Sequence, residues 1–296
     1  MRMRLPKIRG TIKRRLLINY RVDPVVMRRL LPAPFAPKLH DGSAIAGMCL
    51  IRLEDIRPRR FPRAVGLSSE NAAHRIAVVW EDGDGSHEGV YIPRRDTGSL
   101  MNHLAGGRLF PGEHHRATFR VTEDEERIAF RMRSADGLIE IDVDARGADR
   151  LPAGSHFANV IDASAFFERG AVGYSVTSSG RRLDGVVLEI EGWRIEPLAV
   201  EHARSSYFAN PRMFPPGSIE FDCGLIMRNI PHEWGAARDM SIGTTGAQPA
   251  TARQPRSDLL SASREDSGYV NVVHQGKPLP GLHVSKEKND WKVNER

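Results

Sequence analysis

Lysine is missing from the middle of this 296-residue chain: none occurs between Lys38 and Lys277. A core built from that stretch has no lysine amine with which to form a Schiff base on a carbonyl. Cysteine is also scarce. Cys49 and Cys223 are too few for a secreted disulfide framework, and their spacing is not that of a zinc site. Both lie in apolar stretches that read as strands, so buried, reduced thiols are expected. No run approaches the roughly 18 apolar residues of a membrane span. Leu16, Leu17 and Ile18, which follow the first basic cluster, are too few for a signal-peptide hydrophobic region. A cytoplasmic location without a membrane partner is the default expectation.

Several chemical signatures are absent too. There is no G-x-G-x-x-G opening a helix after a strand, no phosphate loop, no G-x-S-x-G elbow and no H-E-x-x-H. No cofactor and no metal are expected. The run Glu81 to Ser86 reads as a hairpin turn, because it lacks the ligand order and final glutamate of a calcium loop. The net charge of +6 comes from the first 15 residues, which carry seven cations and no acid, leaving the other 281 residues at a net −1. Without aromatic interleaving or a binding module, that arm reads as a solvated terminus, and no nucleic-acid partner is expected.

What is present is an ordinary globular composition, 40% hydrophobic and 27% charged, with apolar residues for a core from about position 15 to 235. Asp23-Pro24 opens a helix that Pro32 closes, since aspartate caps free N–H groups and proline at the first helical position has none to lose. Most of the rest alternates with the period of a strand. Residues 128–133 and 139–144 flank the turn Ser134 to Gly137 as a hairpin, and further strands are predicted at 43–53, 75–80, 88–93, 116–122, 186–196 and 219–228. Short helices are predicted from Ser99 to Leu104, ending at Gly106-Gly107, and from Asp162 to Gly170. The fold class that follows is β-rich α+β, an antiparallel closed or conical barrel with a few short helices. The expected organisation is a basic arm at 1–11, one β domain at 12–238 and a flexible tail at 239–296, polar enough that ordering it gains little.

The segment Leu16 to Phe35, LLINYRVDPVVMRRLLPAPF, resembles the opening of acetoacetate decarboxylase-like proteins. FPPGSIEFDCGLIMRNIPHEW, ending at Trp234, resembles the close of that superfamily's uncharacterised YqjF-like branch. With GAVGYSV at 170–176 and RRLDGVVLEIEGWRIEP at 181–197, the resemblance covers roughly residues 12 to 236. It implies an antiparallel sheet around an apolar cavity, often within a homo-oligomer, and in the decarboxylases a cavity lysine that forms a Schiff base. The matching place is Phe110-Pro111, followed by Gly112, Glu113, His114 and His115, none of which forms a Schiff base with a carbonyl.

Glu70 sits where the resemblance implies a cavity carboxylate, as general base or polar anchor, with His74 near the same mouth. Arg94, Arg95 and Asp96 suit capture of an acidic ligand, because a guanidinium matches a carboxylate in bidentate geometry and an adjacent aspartate orients it. The same trio is equally a set of structural ion pairs. Glu113, His114 and His115 offer proton transfer near neutral pH. Since adjacent strand residues point to opposite faces, at most one of the two histidines faces a cavity. A metal held with His103 or His74 is the sharper and less favoured version of that site.

The expectation is therefore a cavity-bearing protein that binds a small acidic or keto-containing organic molecule through Arg94, Arg95 and Asp96. Glu70 and His114 or His115 stand ready for acid–base work of the lyase, hydratase or isomerase kind. The alternative is a non-catalytic ligand sensor or a structural homo-oligomer with a filled interior.

Overall fold

The computed structural model describes residues 7–100 and 112–242, and the backbone of the strands at 261–264, 269–274, 277–287 and 290–295. The chain divides into two compact units, Met1–Pro249 and Ala250–Arg296. The predicted helix Ser99 to Leu104 lies outside the described residues from position 101 on, as do Gly106-Gly107, Phe110-Pro111 and His103.

The first unit opens with β1 (Ile8–Val22) and α1 (Pro24–Leu30). The Asp23 side chain accepts from the backbone N–H groups of Val25 and Val26, as the Asp-Pro signature predicts. Two short strands, β2 (Ala36–Pro37) and β3 (Leu39–His40), precede β4 (Ser43–Pro58), β5 (Leu67–Asp82) and β6 (Gly85–Thr97). Next come β7 (His114–Glu123), β8 (Arg127–Ser134), β9 (Glu140–Gly147), the helix α2 (Val160–Glu168), β10 (Val172–Val176), β11 (Arg182–Ile190) and β12 (Glu196–Ser205). The unit closes with β13 (Ile219–Ala236) and β14 (Met240–Ser241). Helix α2 begins two residues before the predicted Asp162 because Asn159, not an aspartate, caps it. The strand expected at 186–196 ends at Ile190, and Glu196 begins the next one.

These strands form one mixed sheet that closes on itself twice. β13, β1, β4, β5 and β6 are hydrogen-bonded in that order. β6 pairs with β10 at Val90 and Tyr91 and with β7 from Arg95 to Thr97. β13 pairs with β12 near Leu225 and with β11 beyond His232. The shared five strands are thus completed into a nine-strand ring by β7, β8, β9 and β12, and into a seven-strand ring by β10 and β11. Closure leaves the shared strands without free edges. One feature departs from the purely antiparallel expectation: β6 pairs in parallel with both β7 and β10.

Both faces of the shared strands are covered, which is why β1 reads Leu16-Leu17-Ile18 rather than alternating with polar residues. Leu16 and Ile18 join a cluster that includes Phe130, Ile141 and Val143, whereas Leu17 joins one containing Phe166 and Phe167 of α2. The basic arm expected at the start is part of the sheet from Ile8 onward. Among the described residues no helix is long and apolar enough to cross a membrane.

In the second unit, the stretch for which the sequence predicts a tail, β15 (Ser261–Arg264), β16 (Tyr269–His274), β17 (Lys277–Glu287) and β18 (Asp290–Glu295) form an antiparallel four-stranded sheet in chain order.

Candidate functional site

Four strands each carry two adjacent polar residues that strand alternation sends to opposite faces: Arg14 and Arg15 on β1, His74 and Arg75 on β5, Arg94 and Arg95 on β6, His114 and His115 on β7. On one face the two arginines are matched by carboxylates. Arg14, 4% exposed, donates to Glu70 at 2.7 Å and to Glu123 at 2.9 Å. Burial pushes the Glu70 carboxyl up against the opposing pull of Arg14 and Arg52. Arg94 donates to Asp96 at 2.7 Å and to Asp136 at 2.8 Å, and His115 Nδ1 lies 3.4 Å from Asp136. Burial opposes the Arg94 charge, but the two carboxylates outweigh it and hold the group above its ordinary value. His74 lies fully buried 2.7 Å from Ser205 Oγ, with its ring against Tyr207, and burial pushes it down to about 3.

The opposite face is different. It opens on a cavity of about 150 Å³ lined by residues from all seven strands of the smaller ring, with Ile51, Leu53, Val186, Leu188 and Trp234 among its apolar walls. That volume suits a molecule of about benzene's size. Arg15, Arg75 and Arg95 line it, and among the described residues no carboxylate lies within ion-pair distance of any of the three. Arg95 Nε donates to Ser175 Oγ at 3.1 Å, and that hydroxyl donates in turn to the Ile92 carbonyl at 3.0 Å. Arg95 Nη2 is buried with no hydrogen-bond partner among the described residues. Arg75 donates to Asn19 Oδ1 and lies 4.8 Å over the Phe167 ring, and its buried Nε has no partner among the described residues. Arg15 Nε donates to Cys49 Sγ at 3.2 Å. Burial pushes Arg75 and Arg95 down to about 10, so both stay charged at neutral pH. Uncompensated guanidinium groups in an apolar cavity are an arrangement that a bound anion stabilises.

Register aligns the site. Cys49, Ala73, Arg95 and His114 occupy one row across β4, β5, β6 and β7, and Cys49, Arg95 and His114 line the cavity with Ala73. Gly112 brings the chain across this row with φ +75; a Cβ there would stand 2.5 Å from Ser175 Cβ and 3.6 Å from Arg95 Nε. Only glycine takes that conformation at that distance without strain.

Of the residues singled out from sequence, Arg95 and His114 are brought together in the cavity. Asp96 borders it, but its carboxylate is held by Arg94. Glu70, Arg94 and His115 lie on the matched face, and Glu113 is exposed. His74 is a core residue rather than a member of the mouth. Sequence reasoning missed Arg15, Arg75 and Cys49. The available signal was an arginine inside an apolar strand: Arg75 stands directly before Ile76-Ala77-Val78-Val79 and Arg15 before Leu16-Leu17-Ile18.

Solved structures define the class. The chain shares its fold with acetoacetate decarboxylase from Legionella pneumophila subsp. pneumophila str. Philadelphia 1, at 11% identity over 80% of this chain and 87% of that one, TM-score 0.52. A second acetoacetate decarboxylase structure matches at 12% identity over 81% and 90%, TM-score 0.50. The enduracididine biosynthesis enzyme MppR complexed with pyruvate matches at 10% over 82% and 92%, TM-score 0.50. This is an acetoacetate decarboxylase-like fold, with a cavity in its smaller ring. The chain belongs to the DUF2071 family, described as an uncharacterized conserved protein (COG2071), whose profile matches residues 9–217. No curated protein matches it.

Proposed function

We propose that this protein binds a small organic acid in the cavity of the seven-strand ring, with the carboxylate held by Arg95 and Arg75. The observation that carries the reading is the set of three guanidinium groups, Arg15, Arg75 and Arg95, around an apolar space with no carboxylate paired to them among the described residues. A charged planar fork with a free N–H matches a carboxylate, and apolar walls favour a short carbon chain behind it. The pyruvate in the structure of MppR, which shares the fold, is a ligand of this class.

Among the described residues no lysine lines this cavity to supply a Schiff-base amine. Lys38, between β2 and β3, pairs with Glu88 at 2.6 Å and is not among the cavity's lining residues. Acid–base work by Glu70 with a cavity histidine is disfavoured by the geometry, since Glu70 faces Arg14 on the other side of the sheet. His114 is the proton-transfer group within reach of a ligand held by Arg95. The test is a thermal-shift screen of short carboxylic and keto acids. A melting temperature that rises with acid in the parent but not in Arg95→Ala supports the reading. Indifference of the parent to every acid overturns it and favours a structural role for the fold.

A further inference from the structure

We propose that Cys49 is a nucleophile in this cavity, a thiol that adds to the electrophilic carbon of an α,β-unsaturated organic acid held by the arginines. The inference rests on the acid-binding reading and adds a bond-forming group to it. Cys49 is partly exposed and lines the cavity, whereas Cys223 is fully buried. Its sulfur accepts from Arg15 Nε at 3.2 Å, and Arg75 and Arg95 line the same cavity. Cysteine attacks carbon through its sulfur electron pair, and this sulfur lies on the cavity that the three guanidinium groups line. A second observation points to a ligand at the same place. Arg75, 4% exposed, lines the cavity, and among the described residues its buried Nε and the buried Arg95 Nη2 have no hydrogen-bond partner.

The row across the sheet gives the spacing. Arg95 and Cys49 stand two strands apart with Ala73 between them. Neighbouring strands lie about 4.8 Å apart, so the two positions are about 10 Å apart, and the alanine methyl leaves the space above it open. An acid whose carboxylate meets Arg95 extends its next two or three carbons over Ala73 toward the sulfur. In the reaction the sulfur electron pair forms an S–C bond at the β-carbon, the π pair moves to the α-carbon, and a proton from water completes it. With the thiol proton released to solvent beforehand, the net change is addition of S–H across the double bond, and no oxidant or reductant is required.

The experiment compares acrylate with acrylamide, which are nearly isosteric and differ in charge, on the full chain with glutathione as reference thiol and mass spectrometry to locate the adduct. An ordinary thiol prefers the neutral amide. The expected result is one adduct, on Cys49, with an acrylate-to-acrylamide rate ratio at least about tenfold above that of glutathione, the equivalent of one modest ion pair. Arg95→Gln is expected to bring the ratio back toward that of glutathione. A Cys49 that stays unmodified, or reacts with the ratio of glutathione, overturns the proposal. The acid site is read separately, from the melting temperature of Cys49→Ser with propionate. A rise there beside an inert Cys49 in the parent removes the nucleophile and leaves the acid site standing, and no rise in either protein removes both.

Discussion

Arg14 and Arg15 are covalent neighbours with opposite circumstances. Arg14 is buried between two carboxylates, and Arg15 faces a cavity where its hydrogen-bond partners are two sulfur atoms, those of Cys49 and Met227. The same division separates Arg94, with Asp96 and Asp136, from Arg95, which donates to the Ser175 hydroxyl. One face of the shared strands therefore uses its charges to hold the structure together. The other keeps charges that are unmatched among the described residues, an arrangement that costs stability.

Removing a carboxylate from the matched face should have the largest effect. Asp96→Asn leaves Arg94 buried with one anion fewer, and urea unfolding is expected to show a loss of about 3 kcal/mol. A loss below about 1 kcal/mol would mean that the pair is not structural. Gly112→Ala should lower stability by about 2 kcal/mol and weaken any acid response, since the added methyl meets Ser175 and displaces the residue that orients Arg95. Melting curves with and without acid measure both effects.

The buried histidines give a pH prediction. Burial holds His74 down to about 3 and His232 down to about 4, so the unfolded chain binds more protons than the folded one between those values and about 6.5. Their contribution to stability is complete above pH 6.5 and is lost as pH falls toward 3 to 4, by up to about 1.4 kcal/mol per pH unit for each histidine. His74→Gln should flatten this slope, and an unchanged slope in denaturation curves from pH 4 to 7 would contradict the assignment. The smallest expected effect lies on the cavity face: Arg95→Met should leave the ligand-free protein within about 1 kcal/mol of the parent, or above it, while abolishing the response to acids.

The β architecture was legible in the sequence because its strands alternate and its hairpins end in turn residues such as Asp136-Gly137. The double closure was not, because it depends on β6 and β13 each changing partner along their length, which no local pattern encodes. Arg95 and His114, both singled out from the sequence, line the cavity, but Arg95 was grouped with Arg94 and Asp96, although alternation alone places its neighbours on the other face. Applying to β6 the parity that separated His114 from His115 would have divided that trio. Arg15 was hidden in a basic run that reads as a solvated terminus, and its role depends on where β1 begins.

The most direct test of the account sets Arg14→Met beside Arg15→Met in thermal melts with and without propionate. The account predicts that Arg14→Met loses stability by about 3 kcal/mol yet keeps the full response to the acid, while Arg15→Met keeps its stability and responds more weakly, having lost one of the three cavity charges. If the two variants behave alike, the division of the sheet into a structural face and a ligand face is wrong.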